Sequence, residues 1–320
     1  MPLQKSLQMT SPGSSKSTIA RTKARGGSSC FWECIRPLQK RGIIMSKPRD
    51  VKSKIEIDAP AEDVWNAISE AEGLMRWFSL DARSEPGQGG SIWYSWGPPY
   101  EGKSEIEIWD PPRRLKLRSD WGHVPEEQRR EMQPNVEQIA MDFTLESEGG
   151  TTLLRLVHSG FNADAEWDDE VESTRRGWIQ ELLGLKYYLE RHLGQDRKSV
   201  WARAKAEISR EEAWRRLTGA SGLNIEGLKE NESFDRTTSN NERLQGRVLL
   251  MQPPTDFCAV IENLNDAYFR VSIEKSSKPR PHSEGHIWLS TYDLMNAQVM
   301  AFQTSWTKLL CKLFPEEFKA

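Results

Sequence analysis

Residues 168–194 read DDEVESTRRGWIQELLGLKYYLERHLG, and the fold is decided there. Trp178, Leu182, Leu185 and Leu189 fall at i, i+4, i+7 and i+11, one apolar stripe on one face of a helix. Asp168, Asp169 and Glu170 stand near its start, Arg191 and His192 near its end, so the charges complement the helix dipole at both ends. Gly194 can cap it. A long amphipathic helix needs an apolar surface to cover, and the preceding residues supply one. Residues 139–146 and 152–158 alternate apolar and polar, joined at Gly149-Gly150, a hairpin signal. Leu115 to Arg118 follows the turn Asp110-Pro111-Pro112-Arg113. Ser104 to Trp109 follows Gly102, and Ile92 to Trp96 follows Gly87-Gln88-Gly89-Gly90.

Farther upstream, residues 51–58 read as the first strand. Pro60 suits the first position of a helix carrying Val64, Trp65 and Ile68 on one face. Gly73 is expected to break that helix, and Leu74 to Phe78 forms a second short apolar turn. The order strand, two short helices, antiparallel strands, long helix predicts an α+β fold. Alternating strands bury one face only. One helix is narrow, so a curved sheet gripping it can leave space between the layers. Even spacing puts Ile106 and Ile108 on the inner face, likewise Leu115, Leu117 and Trp121, likewise Met141, Phe143 and Leu145, and likewise Leu154, Leu156 and His158.

The 320 residues suffice for two domains. Apolar residues make up 37% and charged residues 28%, with mean hydropathy −0.68, too polar for a membrane protein. No apolar run approaches the ~20 residues that span a bilayer. Thirteen tryptophans must be buried or line something. Net charge is +7 over residues 1–45, −11 over 46–195 and +1 over 196–320. The acidic centre argues against nucleic acid, whose affinity rests on cationic phosphate contacts. Residues 1–48 are expected to be a disordered basic extension or a mis-assigned start, with Met45-Ser46-Lys47-Pro48 a natural beginning. The four cysteines, Cys30, Cys34, Cys258 and Cys311, form no CxxC pair, and free thiols fit a cytoplasmic setting.

His158 is the one inward titratable group with a chemical role to consider, as a general acid/base or a hydrogen bond to a ligand. The plain alternative is a buried histidine satisfied by a backbone carbonyl, and no carboxylate pairs with it by local spacing. Ser159-Gly160 is not a nucleophile elbow. Asp164 to Glu172 lacks the spacing of a calcium loop and reads as the acidic start of a helix. Gly87 to Gly90 precedes a strand and lacks the Lys-Ser/Thr of a phosphate loop. No metal or cofactor site is expected.

Several segments in order carry a resemblance: Ile57-Asp58-Ala59-Pro60-Ala61-Glu62-Asp63-Val64-Trp65, Trp77-Phe78, Gly102 with Asp110-Pro111-Pro112-Arg113-Arg114-Leu115, Leu156 to Phe161, and Gly177-Trp178 before the Leu-rich helix. Together they resemble the SRPBCC (START/Bet v-like) superfamily, in the branch of activator-of-heat-shock-protein-90-ATPase (AHSA-like) homologues. The resemblance implies a helix-grip fold over 49–195, with a hydrophobic cavity between sheet and helix. Residues 122–138, polar and holding Pro125 and Pro134, read as a long loop, expected at the cavity mouth.

Residues 200–320 hold a weak repeat of the same pattern. Residues 203–214 resemble 52–65, and Ser209 with Glu212 has capping-box spacing. Gly246 with Pro253-Pro254 echoes Gly102 with Pro111-Pro112. Phe257 to Ile261 and Tyr268 to Ile273 read as strands, and Trp306, Leu309, Leu310 and Leu313 echo the closing helix. Residues 226–245 are polar and read as a loop. This is expected to be a degenerate second copy, with a shrunken pocket or none, which would fit a scaffold or dimerisation role.

The expected function is non-enzymatic: a small hydrophobic molecule held in the first domain by Trp77, Trp96, Ile106, Trp121, Met141, Phe143, His158, Phe161, Trp178 and Leu182. Two alternatives follow from the resemblance. One is a module binding a chaperone or another protein. The other resembles polyketide cyclases, with His158 moving protons. A homodimer stays open.

Overall fold

The computed structural model describes residues 49–98, 100–120, 139–161, 168–276 and 282–315. The first unit opens with β1 (Arg49–Ile57), α1 (Ala61–Ser69) and α2 (Ala71–Trp77). It continues through β2 (Asp81–Glu85), β3 (Ser91–Ser95), β4 (Glu101–Asp110), β5 (Arg114–Ser119), β6 (Ala140–Glu148) and β7 (Thr151–Phe161), and closes with α3 (Asp168–Arg191). Its sheet is antiparallel, ordered β1-β7-β6-β5-β4-β3-β2. The second unit repeats the scheme: β8 (Lys198–Ala206), α4 (Arg210–Thr218), β9 (Ser233–Thr237), β10 (Arg243–Gln252), β11 (Asp256–Ile261), β12 (Ala267–Ser276), β13 (His282–Thr291) and α5 (Asn296–Leu313). Its order is β8-β13-β12-β11-β10-β9. In both sheets the first strand pairs with the last, and a long helix follows. Two tandem helix grips result, the second one strand shorter.

The local reasons are those of the sequence. Ser209 accepts from the Glu212 N–H at 3.2 Å and starts α4. Gly194 takes φ +80° after α3. Four details differ from the sequence reading. Gly73 lies inside α2, and the break falls at Glu70. A Cβ at Gly73 would sit 2.2 Å from the Asn66 carbonyl, so this glycine permits a close approach of the two short helices. A bulge after Ile106 flips the alternation of β4, so Ile106 is buried while Trp109, not Ile108, packs edge-on against Trp65 at 5.0 Å. Residues 233–237 form an edge strand instead of a loop, because Phe234 is buried in the second core. Gly246 and Gly102 are not equivalent: Gly102 lies under the Tyr94 ring, whereas Gly246 lies against the Val260 carbonyl. The true echo is the bulge between Val248 and Leu250, which precedes Pro253-Pro254 as the bulge in β4 precedes Pro111-Pro112.

The units are nested through α3. Trp178, Leu182, Leu185 and Leu189 fill the first grip as expected. Ile179, Leu183 and Tyr187, on the other side, pack on Leu250, Cys258 and Tyr268 of the second sheet. Gly184 lets the sheet approach, since a Cβ there would lie 3.2 Å from the Tyr268 ring. Every residue of β11 is therefore buried: Phe257, Ala259 and Ile261 face the core shared with α5, and Cys258 faces the layer of α3. The layers run first sheet, α3, second sheet, α5.

A buried polar cluster fixes this stacking. Arg176 reaches the Asp256 carboxylate at 2.6 and 3.0 Å and Glu274 at 3.1 Å. Arg176 and Asp256 are 3% and 0% exposed, so the pair is out of water. Gln180 donates to Asp256 at 2.7 Å and accepts from Ser272, and the Tyr268 hydroxyl donates to the Gln180 carbonyl. Burial alone would lower the pKa of Arg176, but its two carboxylate partners more than offset that and raise it. Arg197 clamps the junction from its other end, donating to the carbonyls of Trp77 and Ser79.

Candidate functional site

Within the first grip the enclosed space is about 20 Å³. It is lined by apolar side chains, among them Trp77, Phe78, Met141, Phe143 and Trp178. A cavity of that size holds little more than one water. The aromatic rings fill the rest. Phe78 stacks on Trp178 with centroids 5.9 Å apart and planes 4° apart, and Phe143 meets Trp178 edge-on at 6.0 Å.

His158 lies at the edge of this aromatic group. The Trp178 indole N–H donates to its Nδ1 at 2.9 Å, and the Phe161 ring lies 4.8 Å away. An indole only donates, so Nδ1 carries the lone pair and the proton of the neutral ring sits on Nε2. Burial pushes the imidazole from 6.5 down to about 4. Between those values the unfolded chain binds the proton and the folded one does not. Stability from this group is therefore complete above about pH 6.5 and falls as the pH drops towards 4. Lowering the pH from 7 to 5 should cost on the order of 1–3 kcal/mol. Urea midpoints at the two pH values measure it, and His158→Gln should shrink the difference; an unchanged difference would assign it to other groups.

More room lies between the units. A cleft of about 190 Å³ is bounded by the outer side of α3, the outer face of the second sheet and the turn after β3. Trp96, Tyr100, Trp201 and Trp288 supply its aromatic walls, with His286 and Gly177 beside them. Trp201 lies 5.2 Å from Trp288 and 5.9 Å from Tyr100. Its indole N–H donates to Nδ1 of His286 at 3.2 Å, which again puts the proton of the neutral imidazole on Nε2. Burial lowers the pKa of this ring as well. Charged groups at the rim are matched: Arg270 meets Glu181 at 2.5 Å and lies over Trp288, and Glu274 is held by Arg176. Arg203 stacks on Tyr100 and Trp201 at 4.2 and 4.8 Å.

Residues 58–190 match the family model described as activator of Hsp90 ATPase homolog 1-like protein. The first unit is an AHSA1-like domain of the SRPBCC superfamily. Solved structures similar to the chain include the Aha1 dimer from Colwellia psychrerythraea, 21% identical over 44% of this chain and 96% of that one, TM-score 0.38. The di-domain ARO/CYC BexL from the BE-7585A biosynthetic pathway is 14% identical over 85% of this chain and 99% of its own, TM-score 0.37. DynU16, a putative protein in the dynemicin biosynthetic locus, is 18% identical over 81% and 95%, TM-score 0.37. Among curated proteins no match is found. No helix among the described residues is long and apolar enough to cross a membrane.

The sequence-derived site residues divide between several places. Trp77, Met141, Phe143 and Trp178 line the small void of the AHSA1-like domain. Ile106, Phe161 and Leu182 are buried in its core, and His158 sits against Trp178. Trp96 lines the cleft between the units, its indole donating to the Phe78 carbonyl at 3.1 Å. Trp121 and the loop 122–138 lie outside the described residues. The acidic run is described only from Asp168 onward; Asp169 pairs with Lys275 at 3.0 Å. Sequence reading missed Tyr100, Trp201, His286 and Trp288. A signal for the cleft was available: Ile179, Leu183 and Tyr187 make a second apolar stripe on α3 at i, i+4 and i+8. A helix apolar on two faces is buried on both.

Proposed function

We propose that the chain is a non-catalytic binding protein for a small hydrophobic molecule, and that the molecule sits between the AHSA1-like domain and its degenerate copy. One observation carries this reading: the aromatic-walled cleft has about 190 Å³ where the first grip has about 20 Å³. The volume is modest but sufficient, since a dry cavity of about 150 Å³ binds benzene. The engaged, neutral His158 favours binding over proton transfer. Native mass spectrometry of the purified chain should show a retained small molecule, and an aromatic library should raise the melting temperature. Neither a retained mass nor any shift would overturn the reading. The family description supports a second reading, a module that binds a chaperone. Titration into an Hsp90 ATPase assay tests it, and an unchanged rate removes it.

A further inference from the structure

Gly177 lies in the interior of the 24-residue helix α3, and a Cβ built on it meets nothing within 4 Å. The space beyond it is part of the cleft. The rings on the second sheet are already covered: Arg203 and His286 lie against Trp201, and Arg197 and Arg270 lie against Trp288. The Nε2 of His286 is sealed in beside Glu284. An occupant over Gly177 must therefore find its polar partner elsewhere on the wall.

Arg270 supplies one. It lines the cleft and keeps 14% of its side-chain surface open. Its Nη1 donates to Glu181 at 2.5 Å. Its Nε and Nη2 make no hydrogen bond among the described residues, and neither is shut away from solvent. These two nitrogens form the side-on fork that fits a carboxylate. The chain uses that fork elsewhere: Arg113 on Asp110, Arg114 on Asp142 and Arg176 on Asp256 each donate from Nε and Nη2.

Charge points the same way. Arg197 and Arg270 lie 5.7 and 4.8 Å from the centre of the Trp288 ring. Glu181 pairs with Arg270, whereas Arg197 donates to two backbone carbonyls and has no carboxylate partner among the described residues. Burial pulls the pKa of Arg197 down to about 10, which leaves it charged at neutral pH. Two cations beside one ring thus share one carboxylate. The other acids of the cleft face cations of their own: Glu274 meets Arg176 at 3.1 Å, and Glu284 faces Arg203 and Lys205 at 3.9 and 4.0 Å. A buried charge without a counter-charge is costly, so an anion at this place relieves it.

We infer that the cleft takes a small carboxylic acid with one apolar ring, the ring over Gly177 beside Trp96 and Tyr100 and the carboxylate on the Nε–Nη2 fork of Arg270. This rests on the binding role proposed above and adds the charge and the anchor. Benzoate, benzamide and benzylamine share a ring and differ in charge. Calorimetric titration of the full chain at pH 7 should place the Kd of benzoate about tenfold below that of benzamide, because a charge-assisted hydrogen bond is roughly twice as strong as a neutral one. Benzylamine should not bind measurably. Two substitutions should move benzoate in opposite directions. Arg270→Met removes the fork and should weaken benzoate about tenfold or more. Glu181→Gln removes the competing carboxylate and should tighten benzoate, a gain that damage to the fold does not produce. Gly177→Leu should fill the place of the ring and abolish binding of benzoate and benzamide alike. Benzamide binding as well as benzoate, benzylamine binding best, benzoate unmoved by Arg270→Met, or benzoate not tightened by Glu181→Gln overturns the inference and leaves the binding role standing. Benzoate binding intact in Gly177→Leu overturns the location. A purified chain that retains a neutral or cationic molecule and binds no benzoate overturns the class alone. No retained molecule together with no binding of any probe overturns the binding role with it.

Discussion

Arg176→Ala should lower the stability of the chain by about 3–5 kcal/mol, the usual loss when one partner of a buried ion pair is removed. The truncation leaves Asp256, fully buried, with Gln180 as its remaining side-chain donor among the contacts described, and leaves Glu274 without its arginine. Coulomb attraction in a dry interface is large, but so is the cost of stripping water from the charges, so the pair's net worth is small and its breakage is expensive. Removing both ends should therefore cost less than the sum of the single losses. Arg176→Met combined with Asp256→Leu is expected to recover a good part of the stability. The cluster also joins the units, so Arg176→Ala is expected to split a single denaturation transition into two as α3 loosens from the second sheet. Chemical denaturation followed by far-ultraviolet circular dichroism reads both effects. A loss under 1 kcal/mol, or strict additivity in the double variant, would show that apolar contact alone holds the layers together.

Trp178→Ala is expected to be as damaging, about 3–5 kcal/mol by the measure of buried aromatic truncations. The ring is the centre of the first grip: Phe78 stacks on it, Phe143 abuts it, and it supplies the hydrogen bond to His158. Deleting it would enlarge the void of about 20 Å³ into an apolar cavity with aromatic walls. Benzene or indole added in excess should restore part of the lost stability by binding the folded form alone, raising the melting temperature in a concentration-dependent way. The wild-type chain should show no such gain from its filled first grip. An equal gain in a Gly177→Leu variant that keeps Trp178, with the cleft between the units filled, would mean that the grip opens to ligands unaided.

How far the sequence reaches can be judged from particular residues. The stripe of Trp178, Leu182, Leu185 and Leu189 and the dipole-matched ends of α3 are local properties, set by 3.6 residues per turn. The capping at Ser209 is local too. The alternation of β6 and β7 is regular, so Met141, Phe143, Leu154 and Leu156 are inward as their spacing says. In β4 the same rule failed after Ile106, because one extra residue in a strand reverses every later side chain, and no local signal marks that bulge. The short edge strand at Phe234 was lost among polar neighbours for a similar reason: pairing with β10 outweighs its composition.

The candidate site was harder still. Its walls come from Trp96, Tyr100, Gly177, Trp201, His286 and Trp288, spread over both units. Trp96 and Tyr100 share one turn and His286 and Trp288 one face of β13, but no local pattern joins these segments to each other or to α3. The expected pocket in the AHSA1-like domain was a matter of volume, and volume depends on how rings pack across layers. Periodicity says which side chains face inward; it does not say how much room they leave.

From its sequence alone this chain determined two successive sheet-and-helix grips, because burial patterns and turn chemistry act over a few residues at a time. It also determined which stripe of α3 fills the first grip. Only the tertiary structure decided that this grip is nearly full, that the second sheet docks on the back of α3, and that open space remains between the units. Those outcomes depend on the packing of side chains more than a hundred residues apart in some cases, as Tyr100 and Trp201 are, and no local rule of the chain encodes that distance.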